Sequence, residues 1–423
     1  MRLFPKTFVE DLHHHIGESI TLRGWVYRLR VLAKTSFIVL KDCSGEAQCV
    51  VESDMLRGLH LKADDTVEII GIVRRDERAK SGAEIEIVSV DVLNRAANLL
   101  PFNSSSNTEP IASDILLEYR PLALRSDHVG HVFRIQAAIL RYFREYLTAN
   151  HFTEIVSSKI VSGGTEGGTN LFAIQYFDRM AYLAQSPQFY KEHGVAGFER
   201  VFETGHVYRA EPHATRRHLT EYYSLDLEMG FIDGPEDVIQ LERELLTYIF
   251  EKLNETYATA LPSMLHVPVW EFSECMERLR AIHNRTDLVD DLDPEAERQL
   301  CAIAEQEYGV SAVFVIGYPL SGRPFYTHPR TATTAAGFDL LFRGLEITTG
   351  GQRLHRRADL ESALASRGID PSSFESHLRM FELGMPPHGG LAIGLERLTA
   401  QILGLQNVRE ATLYPRDRYR LTP

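Results

Sequence analysis

The chain has 423 residues, 44% of them hydrophobic and 24% charged, with 29 Gly and 18 Pro. This composition excludes collagen-like, disordered and small disulfide-framework classes, and the length accommodates two or three domains with a sizeable core. A formal net charge of −13 excludes a protein that wraps nucleic acid by bulk charge, though not one with a local basic surface, because the field near a site outweighs the total.

The N-terminus, MRLFPKTFVEDLHHH, is polar and turns acidic too early for a signal peptide, and no 18-residue apolar run follows it. His13, His14 and His15 read as a solvated helix face. Residues 19–93 hold five β-rich runs, SITLRGWVYRL, TSFIVLKD, AQCVVE, TVEIIGIVRR and AEIEIVSVDVL, with loops over 30–36 and 44–46. Five strands of this length suit a small closed barrel of the OB-fold type. The stretch 98–115 is rich in Ser, Asn and Pro and reads as a linker.

From about residue 128 the texture changes. Apolar residues at helical spacing predict a long helix over 131–152, a second over 238–257 and a third within 291–308. Between them lie β-rich runs: MAYLA, ERVFETGHVYRAE, YYSLDLEMGFI, SAVFVIGYP, FDLLFRGLEITTGG and LAIG. The irregular interleaving predicts an α+β domain built on an antiparallel sheet flanked by helices rather than a βαβ array. The expected organisation is a barrel domain over 1–97, a linker or hinge over 98–125 and a second domain over 126–423. Neither GxGxxG nor GxxxxGK[ST] is present. The four cysteines, Cys43, Cys49, Cys275 and Cys301, form no CxxC and read as buried thiols in a reducing compartment. The expected location is cytoplasmic, with no membrane association.

Five clusters carry candidate chemistry. Arg209-Ala210-Glu211 opens a hairpin loop that continues through Arg216, Arg217 and His218, whose forks and donor suit phosphate oxygens. An isolated Arg-Arg-His loop suits a solvated turn equally well. Asp339, Glu346 and Thr349 flank a Gly in FDLLFRGLEITTGGQRLHR, and two carboxylates with a hydroxyl suit Mg²⁺, although strand carboxylates are also common surface charge. In HGGLAIGLERL a Gly-rich strand runs into a helix that carries Glu396 and Arg397 in its first turn. Gln185, Ser186, Gln188 and Lys191 follow an apolar strand in AYLAQSPQFYKE; they read as pocket lining, or as a helix capped by Ser186 with Pro187 first in the helix. Glycine pairs flank Glu166 in SGGTEGGTN, which reads as a lid or a plain flexible loop.

In this order the clusters resemble the class II aminoacyl-tRNA synthetases. VYRAEPHATRRHL resembles motif 2 and GLAIGLERL motif 3; QSPQFYK, TEGGTNLF, RPFYT, GLEITTGGQRLH, GMPPHGG and YPRDRYRLTP are similar to the compact archaeal type of aspartyl-tRNA synthetase. The resemblance covers essentially the whole chain. It implies ATP-dependent formation of aspartyl-adenylate and transfer to the tRNA for aspartate, with the asparagine tRNA left open as a second substrate. A paralogue that activates aspartate for an acceptor other than tRNA is the alternative.

By resemblance, Arg209, Glu211 and Arg397 are catalytic, and ATP is bound by Arg209, Glu211, Arg217, His218, Glu346 and Arg397. Asp339, Glu346 and Thr349 match the Mg²⁺ positions. Lys191 and Arg353 match the residues that meet the substrate's side-chain carboxylate, while Glu166, Gln188 and Asp226 match those around its ammonium group and Ser186 lines the same pocket. In the barrel, Arg28, Phe37 and Gln48 match anticodon contacts; an apolar strand position such as Phe37 otherwise suits core packing. A homodimer is implied, although Ser158 stands where the family usually has Pro in motif 1. Tyr27 occupies a position at which relatives of different tRNA range differ.

Overall fold

Strand alternation builds the first unit of the chain. In a computed structural model that describes residues 6–79, 81–105, 111–164, 170–212 and 215–422, β1 (Ser19–Val31), β2 (Thr35–Lys41), β3 (Glu46–Glu52), β4 (Thr66–Arg75) and β5 (Ala83–Asn94) close into a barrel of order β1-β2-β3-β5-β4. Every second residue points inward, so Leu22, Ile38, Leu40, Cys49, Val67, Ile69, Val73 and Ile85 form its interior. Gly71 sits at a register shift between β4 and β5, where a Cβ would overlap Ile85 and the Glu86 carbonyl. The predicted OB-type barrel is therefore present. Its first strand runs on to Val31, two residues into the expected loop.

The helices α1 (Ser53–Arg57), α2 (Ser113–Glu118) and α3 (Arg120–Ala123) complete this unit, which spans Met1–Gly130. Helix α2 begins inside the stretch read as linker: Leu117 is buried, and that contact outweighs the polar composition upstream. Cys43 is exposed, contrary to the expectation of four buried thiols, because it lies in the turn between β2 and β3; the other three are buried. His13 and His14 are exposed in a 3-10 turn.

The second unit covers His131–Pro423. Helix α4 (Asp127–Ala149) presents Ile135, Ala138, Ile139, Tyr142, Phe143 and Leu147 on one face, the i, i+3, i+4, i+7 spacing that marks it in the sequence. After it come β6 (Thr153–Glu154), β7 (Ile160–Val161), β8 (Ala173–Tyr176), β9 (Arg179–Leu183), α5 (Gln188–Phe198), β10 (Arg200–Tyr208) and β11 (Glu221–Gly230). Then follow α6 (Pro235–Tyr257), β12 (Val269–Glu271), α7 (Phe272–His283), α8 (Pro294–Tyr308) and β13 (Ala312–Ile316). The last elements are β14 (Gly337–Phe342), β15 (Leu345–Gln352), α9 (Arg357–Ser366), α10 (Glu375–Leu378), β16 (His388–Gly394) and α11 (Leu395–Leu403).

Eight strands form one sheet of order β12-β13-β14-β15-β16-β11-β10-β6. Its centre is antiparallel as predicted, but both edge pairs, β12·β13 and β6·β10, are parallel. Sequence pattern does not carry this, because the partner of a three-residue edge strand is set by tertiary contacts. A second sheet, β7-β9-β8, was only partly foreseen, through MAYLA.

One face of the main sheet holds the core: α4 and α6 cover Leu225, Leu227, Phe338, Leu340, Leu391 and Ile393. On the other face, α7 and α8 cover only the β12–β14 end, against Val313, Val315 and Leu341. The rest of that face, over β10, β11, β16 and β15, carries the polar residues singled out above.

Candidate active site

Register fixes the floor of the site. Asp226 pairs with Ala392, Ala392 with Thr349 and Thr349 with Asp339, so one row crosses four strands from a carboxylate, over two small side chains, to a second carboxylate. In the adjacent row Glu228 pairs with Gly390, Gly390 with Gly351 and Gly351 with Gly337. A Cβ at Gly390 would overlap the Leu227 carbonyl and the Glu228 carboxylate, so glycine alone leaves room for Glu228 to lie along the sheet.

Glu346 and Thr349 are an odd number of residues apart and would point to opposite faces of a regular strand. A register shift between Leu340 and Leu341 turns Ile347 toward the core and leaves Glu346 on the face of Thr349 and Asp339. The three residues named for Mg²⁺ are thus brought together. Desolvation and then the neighbouring Asp339 charge push the Glu346 carboxyl up from its usual range. Two crowded carboxylates beside a hydroxyl are a donor set that fits a hard divalent cation. Arg323 grips Asp339 bidentately, at 2.9 and 2.6 Å, and reaches Thr349 Oγ1 at 3.3 Å. Arg323 opens RPFYT, a stretch in which no local pattern marks this arginine.

A cavity of about 290 Å³ lies over the β15–β16–β11 end of this face. Arg209, Glu211, Arg217, His218, Glu346 and Arg397 all line it. Arg209 follows the last residue of β10, and its backbone N–H donates to the Thr220 carbonyl at 2.9 Å, which closes the hairpin neck. Its guanidinium lies 3.8 Å from Glu211 and over the ring of Tyr222. Arg397 donates to the Glu346 carbonyl oxygen at 3.0 Å and to its Oε1 at 3.3 Å. Arg217 is held by Glu297, at 2.5 and 3.3 Å, and by the Gly344 carbonyl at 3.1 Å. Glu396 accepts from the Tyr223 N–H at 3.1 Å, and burial pushes its carboxyl up to about 7.

A second cavity, about 200 Å³, adjoins the first. Ser186, Gln188, Lys191, Asp226 and Arg353 line it, and Arg209 and Thr349 line both. Helix α5 carries Gln188 and Lys191, and Ser186 stands just before it. Pro187 is its N-cap rather than its first residue, and the Ser186 hydroxyl accepts from the Gln188 N–H at 3.2 Å. The helix then buries Gln188, Lys191, Glu192 and Val195 at one face. Lys191 Nζ lies 3.1 Å from Asp226, 3.4 Å from Glu228 and 3.0 Å from the Leu391 carbonyl. Arg353 donates to Glu228 at 3.1 Å and to the Gly390 carbonyl at 3.0 Å. Burial raises the Glu228 carboxyl, but Arg353 and Lys191 outweigh it and hold the group below its usual range. Glu228 was missed in the sequence although it lies two residues beyond Asp226 on the same strand face. Glu166 lies outside the described residues.

On the barrel, Arg28 pairs with Val39 and Val39 with Gln48, while Arg30 pairs with Phe37. All five face outward. Phe37 is half-buried there rather than in the barrel interior, and Gln48 donates to Glu84 at 2.6 Å. Arg30 joins the face by the same period-two rule. Tyr27 falls at the register shift between Val26 and Arg28 and is buried, with Lys41 Nζ 4.2 Å from its ring centroid.

Residues 112–418 match the family described as tRNA synthetases class II (D, K and N), and residues 20–93 match the OB-fold nucleic acid binding domain. The chain belongs to the class II aminoacyl-tRNA synthetases. Two relatives show how far this synthetase is matched along its length. The aspartate–tRNA(Asp/Asn) ligase of Thermus thermophilus is 42% identical, covering 99% of this chain and 100% of that one. The aspartate–tRNA(Asp) ligase of Pyrobaculum aerophilum is 39% identical over 96% of each. Among solved structures, the synthetase is similar to the asparaginyl-tRNA synthetase of Pyrococcus horikoshii complexed with asparaginyl-adenylate: TM-score 0.90, 28% identity, all of both chains covered. Among the described residues no helix is long and apolar enough to cross a membrane.

Proposed function

We propose that this synthetase is an aspartate–tRNA ligase, which activates L-aspartate with ATP and transfers it to the 3′ end of tRNA. The observation that carries the reading is the pair of adjoining cavities with Arg209 in the wall of both, one ending in two buried cations. Lys191 and Arg353 are 1% and 6% exposed. A lysine side chain would meet like charge there, and asparagine would bring the donors of Lys191 and Arg353, already facing Asp226 and Glu228, no anion of its own. Aspartate supplies that anion.

Arg353 and Lys191 hold the side-chain carboxylate, and Asp226, Gln188 and Ser186 surround the ammonium group, to which resemblance also assigns Glu166. The α-carboxylate is thereby turned toward Arg209 and the nucleotide. An oxygen of that carboxylate attacks the α-phosphorus of ATP; the new P–O bond forms as the bond to the β-phosphate oxygen breaks, and pyrophosphate leaves. Arg209 neutralises charge on the α-phosphate as it builds, while Glu211, Arg217, His218 and Arg397 orient the nucleotide. Asp339, Glu346 and Thr349 are the residues that would hold Mg²⁺, which offsets phosphate charge when bound. A ribose hydroxyl of the terminal tRNA nucleotide then attacks the activated carbonyl, and AMP leaves.

The outward barrel face with Arg28, Phe37 and Gln48 is read as the anticodon surface, where bases stack on the aromatic and hydrogen-bond at their edges. We further propose a cytoplasmic homodimer; the apolar side chains of Val156 and Ile160 on either side of Ser158, 94% and 49% exposed, support a covered surface there. The domain division proposed is 1–97, 98–125 and 126–423.

The test is ATP-dependent attachment of labelled aspartate to purified aspartate and asparagine tRNAs, side by side. Charging of the first alone identifies a discriminating ligase. Charging of both identifies one that also supplies misacylated tRNA for conversion to asparaginyl-tRNA. Adenylate formation without charging of either overturns the tRNA-ligase reading in favour of another acceptor.

A further inference from the structure

Behind the smaller cavity lies a cluster that the reaction does not use. Glu192 follows Lys191 on α5, is fully buried, and does not line the cavity. Gln188 Nε2 donates to its Oε1 at 2.6 Å. Its Oε2 lies 3.5 Å from His377 Nε2, on α10, and 4.0 Å from His388 Nε2, at the start of β16. None of these three buried atoms has a hydrogen-bond partner.

Proton inventory decides what they do. His388 Nδ1 lies 2.8 Å from the Pro386 carbonyl, which only accepts, so that nitrogen carries the hydrogen and a neutral His388 turns a bare lone pair toward Glu192. His377 Nδ1 shares a hydrogen with His193 Nε2 at 2.9 Å. An ionised Glu192 would turn its charge toward the lone pair of His388, 4.0 Å away, whereas the acid form turns a single hydrogen toward the two histidines. Among the described residues no group of three His, Cys, Asp or Glu side chains is arranged to hold a metal ion.

The surrounding charges point the same way. Burial, then Glu228, pushes Glu192 up to about 8, against Gln188, Arg353 and Lys191. Burial holds His377 down at about 3, with His193 and His388 adding to it, and burial also lowers His388, which has Glu228, Arg353 and His355 nearby. At the cavity end, Lys191 and Arg353 already face two carboxylates, Asp226 and Glu228. A third negative charge directly behind them would make the set net negative and oppose an anionic side chain.

We propose that Glu192 is a specificity-determining positioning residue: kept as the neutral acid by His377 and His388, it leaves Lys191 and Arg353 able to accept a carboxylate side chain. This rests on the reading of the smaller cavity as the aspartate pocket. Glu192 is neutral below its transition and becomes charged as pH rises through it, so aspartate binding weakens on the alkaline side.

The experiment measures KM for aspartate and for ATP in ATP–pyrophosphate exchange between pH 6.5 and 9, for the wild type and for Glu192→Gln, an isostere of the acid form. The wild-type aspartate KM is expected to rise above pH 8, toward about tenfold per pH unit, with the ATP KM unmoved. Glu192→Gln is expected to keep the low value throughout. A variant profile that follows the wild type, or a flat wild-type profile, overturns the proposal. Infrared difference spectra give a second readout: a protonated carboxyl band at pH 7 that is lost above pH 8 in the wild type and missing from Glu192→Gln supports the proposal, since other raised carboxyls such as Glu396 contribute to both spectra alike, and identical spectra overturn it. Lys191→Met separates the two readings. If it leaves the aspartate KM unchanged, the pocket reading falls and the proposal with it; if that KM rises while the pH profiles fail, only the role of Glu192 is lost.

Discussion

Arg209 stands at the junction of both cavities, so its removal should damage the reaction more than the binding of either substrate. Arg209→Ala is expected to lower the rate of ATP–pyrophosphate exchange by about 10²–10³-fold, the loss typical of one donor aimed at developing charge, while tRNA binding measured by filter retention stays intact. Lys191→Met leaves Asp226 and Glu228 buried beside a missing cation. Its aspartate KM should rise by more than about 100-fold, with the ATP KM within a few-fold, in the same exchange assay. Most of these residues were legible because they sit in contiguous motifs. Glu228 and Arg323 were not: a carboxylate among YYSLDLEMGF or a guanidinium in RPFYT has no local signature, and each gains its role from a partner more than ten residues away, Arg353 or Asp339. Phe37 was open between core and surface until strand register turned it outward with Arg28 and Gln48.

At the scale of elements, long helices were legible and short strands were not. The apolar stripes of α4, α6 and α8 repeat over several turns, whereas β6 and β7 are two residues each and hold no period at all. The bulge in β15 was equally invisible, since Glu346 and Thr349 look misplaced on any regular strand; only pairing with β14 absorbs the odd residue. Gly390, the third residue of β16, offers a direct test of how tightly the strands are fitted. Gly390→Ala pushes a methyl group into the Leu227 carbonyl and the Glu228 carboxylate. A loss of about 1–3 kcal/mol in urea unfolding is expected, together with a raised aspartate KM, because Glu228 can no longer brace Arg353. Unchanged values for both would mean that β16 and β11 have slack at this row.

At the scale of the whole chain, the two units divide the labour. The outward face of the barrel carries Arg28, Arg30 and Phe37, while every residue assigned to adenylate formation lies beyond His131. Phe37→Ala should therefore raise the KM for tRNA in aminoacylation by roughly 5–100-fold, the worth of one stacked base, and leave ATP–pyrophosphate exchange at the wild-type rate. A fall in exchange would show that the barrel face acts on the chemistry itself. The net charge of −13 did not reveal this surface, because a few cations at alternate positions of one strand pair are lost in a chain-wide sum. The row from Asp226 through Ala392 and Thr349 to Asp339 has a consequence of a different kind. It makes backbone pairing, not any side chain, the jig that sets one substrate against the other. Pairing slips only in whole steps of two residues, ~7 Å along a strand if the faces are to be kept. Misalignment is therefore quantised. A molecule whose sheet has slipped is dead rather than slow, and a damaged population is a mixture of fully competent and silent copies, with no gradual blunting of the survivors.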